Sequence, residues 1–291
     1  MSAFEISVIV AEAQGQQDLQ PTLASVERAT AGQCAEVLVV RPPGRPPLPS
    51  FSTLAIRELP TDEGSLVPQR WGIGVRAAAA PVFACLTSEF TVHPDWARTL
   101  LGSIATGAVG TAGAIELAAS AGTTAAAVYL VRFSSYLPCP GSAPRSVRDI
   151  PGDTAAYQRD AVAAFPDLLA EGFWEVDFHR RFTAEGRQLV YLPTPLATFR
   201  PRRGLRASLV LRYRHGREFG ITRVEKYRHS AGRLILGMPL VPVVLVARIV
   251  RRAATAGRIG LALRAFPVLA MISAAWAGGE AAGAWSARKE R

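Results

Sequence analysis

Three short, wholly apolar runs constrain this chain more than any other feature. Residues 5–11 (EISVIVA), 36–40 (EVLVV) and 82–86 (VFACL) are continuous rather than alternating. A strand with one wet face alternates; a strand covered on both faces reads as an unbroken run, as in parallel sheets sandwiched by helices. Between the first two runs lies LQPTLASVERA, with Leu19, Leu23 and Val26 at helical spacing and Asp18 as its expected N-cap. Residues 54–59 supply a short third strand, and residues 66–80 a helix despite Gly72 and Gly74. RPPGRPPLPS, at 41–50, fits neither a helix nor a central strand. Strand–helix–strand alternation predicts an α/β fold, a Rossmann-like mixed sheet flanked by helices.

Further along, the spacing predicts a helix over 93–104, opened by Pro94 and Asp95, and weak strands across the Gly/Ala/Thr-rich stretch 106–130. A Pro/Ser-rich loop follows at 134–151. Helices are expected at 154–165 and 176–185, the second closed by Gly186 at a C-cap position, and a strand at 188–192. No internal repeat is present.

Charge divides the chain. Residues 1–199 hold 14 Arg against 19 Asp and Glu, a net of −5, whereas residues 200–258 hold 15 Lys and Arg against Glu218 and Glu225. The expected boundary is therefore 199/200, with a basic, apolar helical region at 200–291. Its arginines flank apolar runs at 234–247, 259–263 and 265–279, a pattern that suits an anionic membrane surface rather than DNA. A spanning helix needs about 20 apolar residues. The first run stops after 14, with Pro239 and Pro242 inside it; residues 259–279 make 21, with Arg264 and Pro267 inside. Two spans, an interfacial or re-entrant pair and a buried helical hairpin all remain open. MSAFEISVIV has no basic leader, so the expected location is the cytoplasm, at the inner face of the membrane. In the basic stretch, Tyr213, His215 and neighbouring arginines suit an acidic head group or a pyrophosphate, but plain electrostatic docking to the membrane is the favoured reading.

Dinucleotide and P-loop glycine motifs are absent. Cys34, Cys85 and Cys139 have no metal-ligand spacing and read as buried structural thiols. Three acidic segments end a strand or open a helix, where α/β sites gather: Thr87-Ser88-Glu89, Pro151-Gly152-Asp153-Thr154, and Trp174-Glu175-Val176-Asp177. His93 beside the first is a possible extra ligand. Capping alone accounts for Asp153.

In chain order, ISVIVA, LxxTLxSV, VLVV, QRWGIGVRAAAAPVFACL, TSE with PDW, PGDTAAYQRDAV and GFWEVDFHRRFTAEGRQLVYLP resemble the inverting family 2 glycosyltransferases of GT-A fold, from Ile6 to about Pro193. The resemblance implies a nucleotide-diphosphate sugar as donor and a glycan or lipid-linked acceptor. Ala11, Glu12 and Ala13 match the nucleotide-facing loop, Arg41 the nucleoside position, Arg70 a diphosphate contact, and Ser88, between the two outer metal-motif positions, a further donor contact. Glu89 is implied as the ligand of a magnesium or manganese ion. Glu175 matches the general base, with Asp177 two residues on; Thr154 and Trp174 fall on the acceptor side. His179 either assists that side or sits exposed on its helix. Three residues depart from the family pattern: Thr87 and Arg41 each stand where an aspartate is usual, and Glu175 is one methylene longer than the usual aspartate. A catalytically silent relative acting as a scaffold in polysaccharide assembly is the rival expectation. Nucleic-acid binding rests on net charge alone.

Overall fold

The computed structural model describes residues 4–13, 15, 17–139 and 141–289. The chain divides into two compact units: Met1–Ala118 with Tyr136–Pro201, and Ala119–Ser135 with Arg202–Arg291. Ala119–Ser135 thus goes with the C-terminal helices, although it lies before the 199/200 boundary.

The first unit is α/β, a Rossmann-like mixed sheet flanked by helices. The three apolar runs become β1 (Ile6–Ala11), β2 (Ala35–Arg41) and β4 (Val82–Thr87), joined by β3 (Ala55–Pro60) in one parallel set. Sheet order among the described residues is β3-β2-β1-β4-β8-β6-β9-β5, with β7 (Arg145–Val147) also on β9. Alternate residues on the same strands explain the continuous runs. Ile9, Leu38 and Phe83 join a core beneath helix α2 (Val67–Ala77), while Ile6, Val8 and Val10 are equally buried on the opposite face.

Several elements differ from the sequence reading. Helix α1 is Gln20–Ala29 with Leu19 at its N-cap; Asp18 instead accepts a hydrogen bond from the Gln20 amide at 3.2 Å, one residue too early to cap. The helix expected from 93 is α3 (Trp96–Ala105), because His93, Pro94 and Asp95 form the turn after β5 (Phe90–Val92). Of the weak strands at 106–130, only β6 (Gly110–Leu117) forms; TTAAAVYLVRF is helix α4 (Thr123–Phe133), as its alanines favour. The helix expected at 154–165 is a 3₁₀ turn (Gly152–Thr154), strand β8 (Ala156–Gln158) and helix α5 (Arg159–Ala163). Burial decides this: β8 fills the gap between β4 and β6, antiparallel to both. A five-residue helix α6 (Pro166–Ala170) then leads to α7 (Glu175–Ala184). Strand β9 (Leu189–Phe199) runs through Pro193 and Pro195, since register shifts against β6 fall there and no ladder bond is demanded of the missing N–H groups.

The glycines of α2 have packing roles. A Cβ on Gly74 would lie 2.3 Å from Ile9 Cγ2, and one on Gly72 would lie 2.7 Å from Gly172 Cα. Both therefore let the helix touch β1 and the loop before α7. Gly186, with φ +72°, closes α7 in a Schellman arrangement: its N–H donates to the Thr183 carbonyl and the Arg187 N–H to Phe182.

The second unit contains α4, α8 (Leu205–Glu225), α9 (Ala231–Gly237), α10 (Leu240–Thr255) and α11 (Ile259–Lys289). Pro239 marks a 62° bend between α9 and α10. Residues Ile259–Arg288 form a helix of 30 residues, long and apolar enough to cross a membrane; only 28% of its most apolar window is buried. Helices α8 and α11 run side by side in the same direction through paired Gly-x-x-x-Gly stretches. A Cβ on Gly216 or Gly220 would fall 2.1–2.2 Å from a backbone oxygen of α11, and one on Gly279 or Gly283 2.0 Å from one of α8. Arg223 of α8 pairs with buried Glu280 of α11 at 2.5 Å.

Candidate functional site

Strand order reverses between β1 and β4, with β2 and β3 continuing on one side only. At such a switch point the loops after the strands part and leave a crevice at their carboxyl ends. The loop after β1 carries Glu12 and Ala13, and the loop after β4 carries Ser88 and Glu89. The two are tied together: the Ala13 N–H donates to Ser88 Oγ at 2.9 Å, and the Ser88 N–H to the Ala11 carbonyl at 3.1 Å. Glu12, Ser88 and Glu89 are all buried, and the Glu89 carbonyl accepts from the Arg200 N–H at 2.7 Å.

Arg70 and Trp71 of α2 brace the same edge. Arg70 Nη1 donates to the Glu12 carbonyl at 2.5 Å and Nη2 to that of Glu63 at 3.1 Å, while its enclosed Nε has no partner. Burial pulls the Arg70 pKa down, and the nearby carboxylates of Glu12 and Glu63 push back. The Trp71 indole N–H donates to the Leu86 carbonyl at 2.9 Å. Arg45, from the proline-rich loop, bridges Glu12 at 3.0 Å and Glu63 at 2.7 Å. Sequence reasoning passed over Arg45; the only available signal was a single cation inside a run of prolines stiff enough to aim it. Arg41 pairs with Glu58 of β3 at 2.8 Å, so two neighbouring strands consume its charge.

Glu175 enters from the other side of the edge. It is the first residue of α7, where the helix dipole favours a carboxylate. A Cβ on Gly152 would lie 2.7 Å from Glu175 Cγ, so the carboxylate stem rests directly on the Gly152–Thr154 turn. Its charge reaches Cys85 of β4: burial first, then Glu175 and Asp153, raise the Cys85 thiol far above its usual range. Thr87, two residues on, alternates onto the same sheet face as Cys85. In the turn itself, Thr154 offers its carbonyl to the Trp96 indole at 3.2 Å, and its buried Oγ1 has no partner.

Asp177 is not beside Glu175. It pairs with Arg180 at 3.5 Å on the outer side of α7, about 200° around the helix. Trp174 is 38% exposed, with its indole N–H turned to the Glu171 carbonyl. His179 is 1% exposed, which corrects the expectation of a solvent-facing histidine. Its Nδ1 meets Asp149 and its Nε2 the Tyr157 hydroxyl at 2.9 Å, beneath a ring cluster of Phe83, Phe173 and Phe178. One turn from Glu175, His179 fixes the rotation of α7 and therefore the aim of that carboxylate. Tyr157→Phe should leave the imidazole short of a buried partner and lower stability by about 1–3 kcal/mol, measured by denaturant unfolding; no change would remove this anchoring role. His93, by contrast, is exposed beside Asp95. Cys34 is also exposed, against expectation, while Cys85 is buried.

Among the described residues no group of three or more His, Cys, Asp or Glu side chains converges as a metal cage. No protein-family model matches the chain, and no curated protein matches it.

Proposed function

We propose that this chain is a glycosyltransferase of the inverting GT-A type, moving a sugar from a nucleotide-diphosphate donor to a glycan or lipid-linked acceptor at the cytoplasmic face of a membrane. The observation that carries the reading is the seating of Glu175 on the Gly152–Thr154 turn, its charge felt at Cys85 of the strand that leads to Glu89. A carboxylate held there can take the proton of an acceptor hydroxyl as that oxygen attacks the anomeric carbon. The C–O bond to the diphosphate breaks in the same displacement, and configuration inverts. Arg70 brings a buried guanidinium to the donor side of the edge, where a diphosphate needs positive charge, while Arg45 is held there between Glu12 and Glu63. The Thr154 hydroxyl and the Trp174 ring give the acceptor a polar contact and a stacking face.

A divalent cation, magnesium or manganese, would supply neutralisation of the departing diphosphate. Glu89 is the one carboxylate of the Thr87-Ser88-Glu89 segment, and with the donor's phosphate oxygens it would make a hard, all-oxygen set. That set fits an ion that keeps several waters and takes phosphate oxygens from its substrate. The +15 net charge of the second unit's sequence, with exposed Leu236, Leu240, Val243, Leu263 and Phe266, supports attachment to an anionic bilayer.

A second reading, a silent scaffold in a polysaccharide assembly complex, is favoured by one observation: Glu12 and Arg41 spend their charges on Arg45 and Glu58. Donor binding separates the two. With the full chain in lipid or detergent, a panel of nucleotide sugars should bind only with magnesium or manganese, and Glu89→Ala should weaken binding at least about tenfold, the loss of one charged ligand. Binding to no donor under any metal condition would leave the scaffold.

A further inference from the structure

The outward face of α10 changes character along its length. Two rows at helical spacing, Leu240–Val244–Arg248 and Val243–Ala247–Arg251, are exposed throughout, apolar first and cationic after. Leu240 is 66% exposed and Val243 64%, while Val246, Ile249 and Ala253 occupy the buried face opposite. Helix α9 has the same character. Its Leu234 and Ile235 pack on Val224, Ala284 and Ala287, whereas Leu236 is 83% exposed, three residues after the exposed Arg233. Between Arg233 and Arg248 lie 14 residues without a charge, and no Asp or Glu occurs between Glu225 and Glu280. Cations therefore bound this apolar surface on both arms.

Length limits what the surface can enter. At 1.5 Å per helical residue, Leu240–Ala247 extends about 12 Å, and the whole uncharged run would reach only about 21 Å if straight. It is not straight, because α9 and α10 meet at 62° around Pro239. A hydrocarbon core is about 30 Å thick, so the elbow reaches roughly one leaflet deep and cannot cross. Pairing this face with that of a second copy would bring Arg248 and Arg251 onto like charges, with no acid on the elbow to separate them. Anionic lipid phosphates complement them instead. We propose that the α9–α10 elbow inserts as a wedge into one leaflet of an anionic bilayer and leaves on the side it entered. Leu236, Leu240, Val243 and Val244 then lie in the hydrocarbon, with Arg233, Arg248 and Arg251 at the level of the phosphates. This wedge presupposes the membrane attachment proposed above, but not sugar transfer.

The test uses the full chain with vesicles of phosphatidylcholine, alone or mixed with phosphatidylglycerol. Val243→Glu should cut binding to the mixed vesicles at least about tenfold, because a carboxylate at hydrocarbon depth is costly. Val210→Glu, the same change at an exposed position on α8, should stay within about twofold, its charge screened away from the surface. Arg248→Gln and Arg251→Gln should each cost about fivefold on mixed vesicles, the worth of one cation at an anionic surface. Depth and sidedness are read by labelling after Cys34→Ser and Cys139→Ser remove the two cysteines that are not buried. A fluorophore on Val244→Cys should be quenched by spin labels on the lipid chains. Ser230→Cys and Ala254→Cys should both react with an impermeant maleimide outside sealed vesicles. Binding with an unquenched Val244→Cys probe, with those two cysteines on opposite sides, or with equal losses in Val243→Glu and Val210→Glu would overturn the wedge and leave membrane attachment standing. No binding to either vesicle would overturn both. If Val243→Glu loses its helical circular dichroism, quenching and sidedness decide.

Discussion

Glu175→Gln should lower sugar transfer by about 10²–10⁴-fold, the usual worth of a positioned general base, while donor affinity changes less than about twofold. The amide keeps the shape that packs on Gly152, so the fold and the donor side have no reason to respond. What it loses is the ability to accept a proton as the acceptor oxygen attacks. Asp177→Asn is the internal control: Asp177 pairs with Arg180 on the outer side of α7, and its loss should cost transfer no more than a few-fold. Steady-state kinetics with separate donor-binding measurements reads both variants. Equal, small effects would mean that neither carboxylate acts as the base.

The second large effect concerns two adjacent glycines of α11 with opposite expected signs. A Cβ on Gly279 would lie 2.0 Å from the Tyr213 carbonyl oxygen and 3.0 Å from the Arg217 amide nitrogen, both backbone atoms that no rotamer change can move aside. Gly279→Ala must therefore push α8 and α11 apart, and we expect a loss of about 2–3 kcal/mol even after the helix-propensity gain of about 1 kcal/mol. At Gly278 a Cβ meets nothing within 4 Å. Gly278→Ala should keep the propensity gain alone and stabilise the unit by up to about 1 kcal/mol. Thermal unfolding followed by helical circular dichroism reads the difference. Matching shifts in the two variants would mean that the glycine seam does not hold the helices together.

How much of this was legible in the sequence follows the physics of each signal. The runs at β1, β2 and β4 are readable because burial on both faces leaves no polar residue to interrupt them. Strand β8 was not: AAYQRDAV carries helical propensity, and only the vacancy between β4 and β6 makes it extended, a long-range condition. For α4 the error ran the other way, since small residues that look weak as strand are strong as helix. Glu175, Glu12 and Glu89 were traceable because strand ends and helix starts are fixed by local pattern. The burial of His179 was not, because it depends on Asp149 and Tyr157, 30 and 22 residues away. Asp177 was grouped with Glu175 by proximity in sequence, yet helical geometry sends residues two apart to different faces. The paired Gly-x-x-x-Gly stretches stood in the sequence and were missed there; their meaning depends on a partner helix bringing the same motif.

Inverting sugar transfer is tested most simply by turnover of a nucleotide-sugar panel by the full chain in lipid, with magnesium or manganese and a lipid-phosphate or glycan acceptor, and the product anomer read by NMR. The expected result is release of nucleoside diphosphate from one donor class, with the product of inverted configuration and the reaction lost in Glu175→Gln. Retention of configuration, or turnover that survives Glu175→Gln unchanged, would contradict it.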